Sequence, residues 1–380
     1  MRVVGVICEY NPFHLGHKKQ FDRIRQEFGE DTAIVCIMSG NFVQRGHPAV
    51  FDKMCRAKAA LHCGADLVLE LPVTAALSSA EGFAAGGVSI ASKVCDTLCF
   101  GAETASSTVL METAQNLLSD TFRDALRIHL DAGLSFPAAR QAALADLGAE
   151  DEVISTPNNI LAVEYCKAIL TQGSNLSIFP IHRVGSYHDT KADPENPSAT
   201  SIRKLIAKDE AWHPFVPEEM FAAARNCPNH TLEYGEKAML ARLRTMTDAE
   251  FEAIPYGSEG LWRKLMHASR LEASIDSIVA STKSKRYART RLDRMILLAF
   301  LNISAADLGM EIPYVRVLGF TSKGRVILNQ HRKTGFLRNI GEDTHHPYQQ
   351  LEHRCTALYG LFSQKPERPA AESDHRVIIK

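Results

Sequence analysis

The sequence predicts an α/β protein: an open parallel sheet with helices on both faces over residues 1–210, followed by a mainly helical domain over 211–365. Three observations carry that reading. Short apolar runs alternate with helix-period segments through the first half, the pattern of strands buried on both faces. Polar, glycine-bearing motifs follow directly on the ends of those runs, where open α/β sheets bind their ligands. Beyond residue 211 the alternation stops: Pro214, Pro217 and Pro228 punctuate a linker-like stretch and helical spacing takes over.

Taken in order, Val3 to Cys8 is an apolar run that fits a buried strand. Gly16 to Phe28 places Phe21, Ile24 and Phe28 on one helical face among Lys, Arg and Glu. Ala33 to Met38 predicts a second strand, Phe51 to Cys63 a helix and Asp66 to Leu71 a third strand. Ala80 to Ser92 is small, apolar and helical; Thr97 to Phe100 is a fourth strand ending at Gly101. Helices are expected over 104–118, 120–132 and 136–147, and Pro157 can open another through Leu170. Leu176 to Ile181 predicts a fifth strand and Ser198 to Lys208 a short helix. In the second half, helical spacing covers 236–246, 259–280, 288–302 and 348–362, with a short strand at Val315 to Phe320. Residues 366–380 are polar and proline-rich and read as a disordered tail.

Composition sets the outer limits. The chain has 380 residues, 45% hydrophobic and 23% charged, which excludes a largely disordered or fibrous protein. A net charge of -1 gives no global nucleic-acid signature, although a local patch is compatible with it. The nine cysteines are scattered and odd in number, with no CxxC, which points to reduced thiols and a cytoplasmic protein. The N-terminus does not read as a signal peptide, and no apolar run is long enough for a membrane span, so no membrane partner is expected. No obligate protein partner is evident.

The strongest chemical signal is Asn11-Pro12-Phe13-His14-Leu15-Gly16-His17, which follows the first strand and opens a helix. A helix N-terminus presents unpaired N–H groups and partial positive charge, which suits phosphate. Gly16 allows close backbone approach. His14 and His17 are three residues apart and can face one pocket. Donors aimed at charge developing on a phosphate contribute roughly 10²–10³ in rate, so His14 and His17 are the candidate catalytic pair. Ser198-Ala199-Thr200-Ser201-Ile202-Arg203 is a second phosphate candidate, with hydroxyls, N–H groups and one guanidinium at a helix start. The competing reading of that segment is a plain N-cap.

The HxGH motif resembles that of the nucleotidyltransferase superfamily, which implies a Rossmann-like fold. Further segments resemble one bacterial family within it, the tRNA(Met) cytidine acetate ligases: EYNPFHLGH (9–17), MSGNFVQRGHPAVFDKMCRAKAAL (38–61), GADLVLELP (64–72), FGAE (100–103), PNNILAVEY (157–165), SATSIRK (198–204) and KSKRYARTRLDRM (283–295). The resemblance implies activation of acetate by ATP to acetyl-adenylate, then acetyl transfer to N4 of the wobble cytidine of elongator tRNA(Met). It implies an ATP cradle over Ile7, Cys8, Glu9, Tyr10, Asn11, Pro12, Phe13, His14, Leu15, Gly16, His17, Lys18, Lys19 and Gln20. Gly101, Asn159 or its neighbour Asn158, Arg183 with Val184, and Ser198, Thr200, Ser201 and Arg203 complete the expected ATP site. For Asn158 and Asn159, helix capping beside Pro157 is the competing role. Three positions depart from the family pattern: Leu15 inside HxGH, Gln20, and Ala288 in the basic segment.

The loop over 39–56 is expected to take the acetate carboxylate, with Ser39, Gly40, Gln44, Arg45 and Lys53 as candidates, and which cation serves is left open. Between residues 263 and 294 there are nine basic residues against three acids. That local excess suits a phosphate backbone and makes Lys283, Lys285, Arg286, Tyr287, Arg289, Arg291 and Arg294 the tRNA candidates. Tyr287 fits a base-stacking role and a core role equally. No acidic metal cluster adjoins the motifs; Mg2+ can accompany ATP without a protein-held site. Two rivals remain, an adenylyltransferase for a small cofactor precursor and a non-catalytic tRNA-binding protein.

Overall fold

The computed structural model describes residues 1–134, 136–148, 151–183, 193, 197–284, 287–339, 346–369 and 372–380. The described residues form ten strands, in chain order: β1 (Val3–Cys8), β2 (Ala33–Ser39), β3 (Phe42–Val43), β4 (His47–Pro48), β5 (Leu67–Leu71), β6 (Thr97–Ala102), β7 (Ser177–His182), β8 (Val315–Phe320), β9 (Leu337–Arg338) and β10 (Ile378–Ile379). The main sheet runs β10-β8-β5-β2-β1-β6-β7, with β9 beside β8; β3 and β4 form a separate hairpin.

The five long strands of the first half are parallel to one another, as the buried apolar runs predict. The chain moves outward from β1 through β2 to β5, then crosses back to β6 and β7. The strand order therefore reverses between β1 and β6, and the crevice beyond their carboxyl ends is where such sheets take ligands. β1 shows why the sheet is two-sided. Val3 and Ile7 enter the core on one face, Val4, Val6 and Cys8 the core on the other. Each such aliphatic side chain contributes about 1.5–3 kcal/mol on burial. The helices Ala80–Val94 and Pro157–Thr171 cover the first face; Leu15–Phe28 and Lys53–His62 cover the second.

Two expectations are corrected on the C-terminal side. The strand Val315–Phe320 does not stay with the helices of the second half: it pairs antiparallel with β5 and so extends the first sheet. An apolar strand needs a partner, and the open β5 edge supplies one. Nor do residues 366–380 behave as a tail. Glu372 is buried, and Ile378 and Ile379 pair with Gly319 and Phe320 of β8. Composition signals disorder there because the segment is held by tertiary partners, β8 and Lys53 among them, that local composition does not show.

The second half packs its own helical core around Leu240, Leu243, Leu265, Ile278, Leu297 and Leu298. The single helix expected over 259–280 breaks into Leu261–Leu271 and Ile275–Thr282. Ser274 starts the second piece, its hydroxyl accepting from the Ser277 N–H while the Ser277 side chain reaches back. The helices Glu218–Ala224 and Ser322–His331 had no sequence counterpart. The two halves meet closely at the β3–β4 turn. Gly46 has φ +80°, and a Cβ there would lie 2.5 Å from the backbone nitrogen of Arg294, so only glycine fits.

Candidate active site

β1 ends at the HLGH turn, and His14 caps the helix Leu15–Phe28. Its Nδ1 accepts the Gly16 N–H at 3.1 Å, and the His17 Nδ1 accepts the His14 N–H at 3.1 Å, a reciprocal box made by two imidazoles. The rings stack with centroids 3.6 Å apart. With both Nδ1 atoms accepting, each neutral ring carries its proton on Nε2, which leaves two donors. Burial, then Arg183 and Arg203, hold His14 down at about 3. Burial, then His14 and Arg183, push His17 well below its ordinary value. The pair is therefore neutral in the free protein.

A cavity of about 1160 Å³ opens over this turn at the carboxyl ends of β1 and β6. Its walls include Ile7, Cys8, Glu9, Tyr10, Asn11, His14, Gly16, His17, Lys19 and Gln20, together with Gly101, Asn158, Arg183, Ser198, Thr200 and Arg203. The expected HLGH and SATSIR segments thus face one space. A Cβ on Gly101 would meet only the Arg183 side chain, at 3.8 Å, so this strand end is open toward the cavity. Arg203 donates to the Asn11 carbonyl at 2.7 Å and to Thr200 Oγ1 at 3.2 Å, tying the two phosphate candidates together.

Other expected residues sit behind the wall. Phe13 is fully buried in the core with Tyr10 and Phe21, and Lys18 turns toward Glu219 at 3.9 Å. Pro12 and Leu15 do not line the cavity. Of the asparagine pair, Asn158 reaches the cavity, whereas Asn159 is buried and spends its amide on Thr104 N and Oγ1, at 2.9 and 3.0 Å. Ser201 is buried and acts in the Ser198 N-cap. Val184 lies outside the described residues.

A model of the family described as HIGH Nucleotidyl Transferase matches residues 1–374. The chain is 36% identical to a tRNA(Met) cytidine acetate ligase of Clostridium perfringens, over 90% of each chain. It is 30% identical to that of Clostridium acetobutylicum over the full length of both. The crystal structure of apo Thermotoga maritima TmcAL superposes with a TM-score of 0.90 at 32% identity, covering 100% of this chain and 99% of that one. The same protein bound with alpha-thio ATP gives 0.88.

The chain belongs to the tRNA(Met) cytidine acetate ligase family. Its expected acetate loop divides in two. Gln44 and Arg45 stand at the cavity, joined by His47 from the same segment. Burial, then Arg203, lower His47 to about 4. Ser39, Gly40 and Lys53 do not line the cavity. Lys53 is fully buried between Glu70 at 2.7 Å and Glu372 at 2.6 Å, so its placement as an acetate ligand is corrected to that of a structural cation. Arg56, also fully buried, donates to the carbonyls of Glu9, Ser39, Gly40 and Phe51 and so shapes the loop from below.

The basic segment divides in the same way. Tyr287 is buried and its hydroxyl donates to Glu259 at 2.9 Å, so it does not offer a stacking face. Arg294 is buried and donates to the Gln44 carbonyl at 3.2 Å. Arg291 holds the Tyr256 carbonyl at 2.6 Å. Arg289 pairs with Asp276 and lies 3.6 Å from Asp293. Lys283 is exposed; Lys285 and Arg286 lie outside the described residues. A run of cations in sequence is thus partly a set of fasteners from one helix to neighbouring turns, because guanidinium groups reach backbone carbonyls as readily as phosphates. One functional neighbour that sequence reasoning left without a role is Glu103, although the FGAE segment contained it.

Proposed function

We propose that this protein is an ATP-dependent ligase that activates acetate as acetyl-adenylate and acetylates N4 of the wobble cytidine of elongator tRNA(Met). The observation that carries the reading is the stacked neutral pair His14 and His17 at the head of a cavity shared with Arg183 and Arg203. The expected ATP site therefore has two imidazole N–H donors and two guanidinium groups, a set suited to a triphosphate.

In the first step an acetate oxygen attacks the α-phosphorus and pyrophosphate leaves. His14 and His17 donate Nε2–H bonds to the non-bridging oxygens as negative charge grows there. Arg183 and Arg203 screen the approach of the acetate anion to the polyphosphate, and Arg45 is the remaining cation at the acetate end. In the second step the cytidine N4 attacks the acetyl carbonyl, loses one proton and displaces AMP. A mixed anhydride needs no enzyme nucleophile. Mg2+ is assigned to the nucleotide: among the described residues no group of three or more His, Cys, Asp or Glu side chains is placed to hold an ion, and no step is routed through it. The tRNA is assigned to the second half with Lys283, Lys285 and Arg286, and the ATP and acetate chemistry to the first. Among the described residues no helix is long and apolar enough to cross a membrane; a tRNA substrate places the work in the cytoplasm.

The test is pyrophosphate exchange into ATP, with and without acetate and without tRNA. Acetate-dependent exchange is expected, and His14→Ala or His17→Ala should lower it by roughly 10²–10³ while tRNA binding holds. Exchange that ignores acetate would favour transfer of AMP to another acceptor.

A further inference from the structure

We infer that Glu103, which does not line the cavity, is a positioning residue that sets the ATP-binding geometry of Arg183 through the amide of Asn158; the inference rests on the proposed ATP site. Glu103 follows β6 directly. One carboxylate oxygen accepts from Asn158 Nδ2 at 2.7 Å. The other accepts from Thr156 Oγ1 at 2.8 Å and from the Asn159 backbone N–H at 2.9 Å. It therefore caps the helix Pro157–Thr171 from another element, since Thr156 makes no side-chain cap of its own.

The same bonds decide which way the Asn158 amide faces. A carboxylate accepts only, so the NH₂ of Asn158 must turn to it. The amide oxygen then points the opposite way, where Arg183 Nη1 approaches it at 3.4 Å. The Arg183 backbone is anchored nearby, its N–H donating to the Ala102 carbonyl at 2.9 Å. The relay is thus carboxylate, amide, guanidinium, with each donor meeting an acceptor. Arg183 also acts electrostatically on both His14 and His17, so it stands beside the catalytic pair. Glu103 is in addition the anion acting on Arg183.

Glu103→Gln preserves shape and breaks the logic. The Gln carries its own NH₂ toward a cluster of donors. The Asn158 amide is then free to flip and to present its NH₂ to a cation. The guanidinium then loses its oriented, charge-assisted arrangement.

The experiment is a double-mutant cycle on ATP affinity, read by calorimetry without acetate or tRNA. Glu103→Gln should weaken ATP by about tenfold in the otherwise natural protein and by less than twofold in Arg183→Ala. Asn158→Ala should abolish the effect in the same way. Thr156→Ala removes a capping bond but not the relay, so it should lower the melting temperature and leave ATP affinity within twofold. Equal losses in both Arg183 backgrounds, or a Thr156→Ala loss as large as that of Glu103→Gln, would show a cap and nothing more and overturn the inference. The readout is independent of acyl transfer: a protein that binds ATP yet shows no acetate-dependent exchange would sink the proposed reaction and leave this cycle intact.

Discussion

At the scale of single residues, the imidazoles around the cavity couple chemistry to stability. His14 is held at about 3, and His47 and His230 at about 4, in each case mainly by burial. Unfolded, each returns to the ordinary histidine value of about 6.5. The native state therefore binds fewer protons than the unfolded state between those limits. Stability is fully present above about pH 6.5 and is lost as pH falls toward the native values. Replacing His14 with Asn keeps a cap acceptor and removes one of these sites. The variant should lose about 1 kcal/mol less than the natural protein between about pH 6.5 and 5.5, as read by urea unfolding. Parallel curves would mean that His14 titrates normally in the native protein. The two histidines were legible in sequence because their spacing and their place after a strand sufficed. Their neutrality was not, because it depends first on burial by the folded chain and then on Arg183, which is far away in sequence.

At the scale of elements, the helix Lys53–His62 shows how a sequence motif misleads. Lys53 stands in a polar, glycine-punctuated stretch beside the site and reads as an anion ligand. The fold instead turns it inward, against Glu70 of β5 and Glu372 of the C-terminal segment. Arg316 of β8 adds a second cation, paired with Glu372 and 3.6 Å from Glu70. The two cations and their carboxylate partners are all buried, so removing one partner strands charge. Lys53→Met should cost about 3–5 kcal/mol in guanidinium unfolding. A loss below about 1 kcal/mol would mean the cluster is hydrated and the residue is available to a ligand after all. Neither the Glu70 nor the Glu372 contact is visible in local patterning: a charged residue inside the run DLVLEL is a hint of pairing, but it names no partner.

At the scale of the whole molecule, the chain closes the sheet that it opened. The parallel core β5-β2-β1-β6-β7 was legible from apolar runs, because each strand carries its own hydrophobic signal. The β10-β8 extension was not, because β10 is only two residues long and the choice of edge is made by tertiary contacts. The tail is thereby a structural part of the first half, although it follows the second in sequence. Ending the chain at residue 369 removes Glu372, takes an ion-pair partner from both Lys53 and Arg316, and uncovers β8. Thermal unfolding should then start well below that of the full chain, with a stability loss of about 3–5 kcal/mol. Glu372→Gln in the full chain should reproduce most of that loss, because the charge pairing rather than the two β10 residues accounts for it. A truncation that melts with the full chain would return residues 370–380 to the role of a tail. A truncation that melts early while Glu372→Gln does not would assign the stability to the β10–β8 pairing instead.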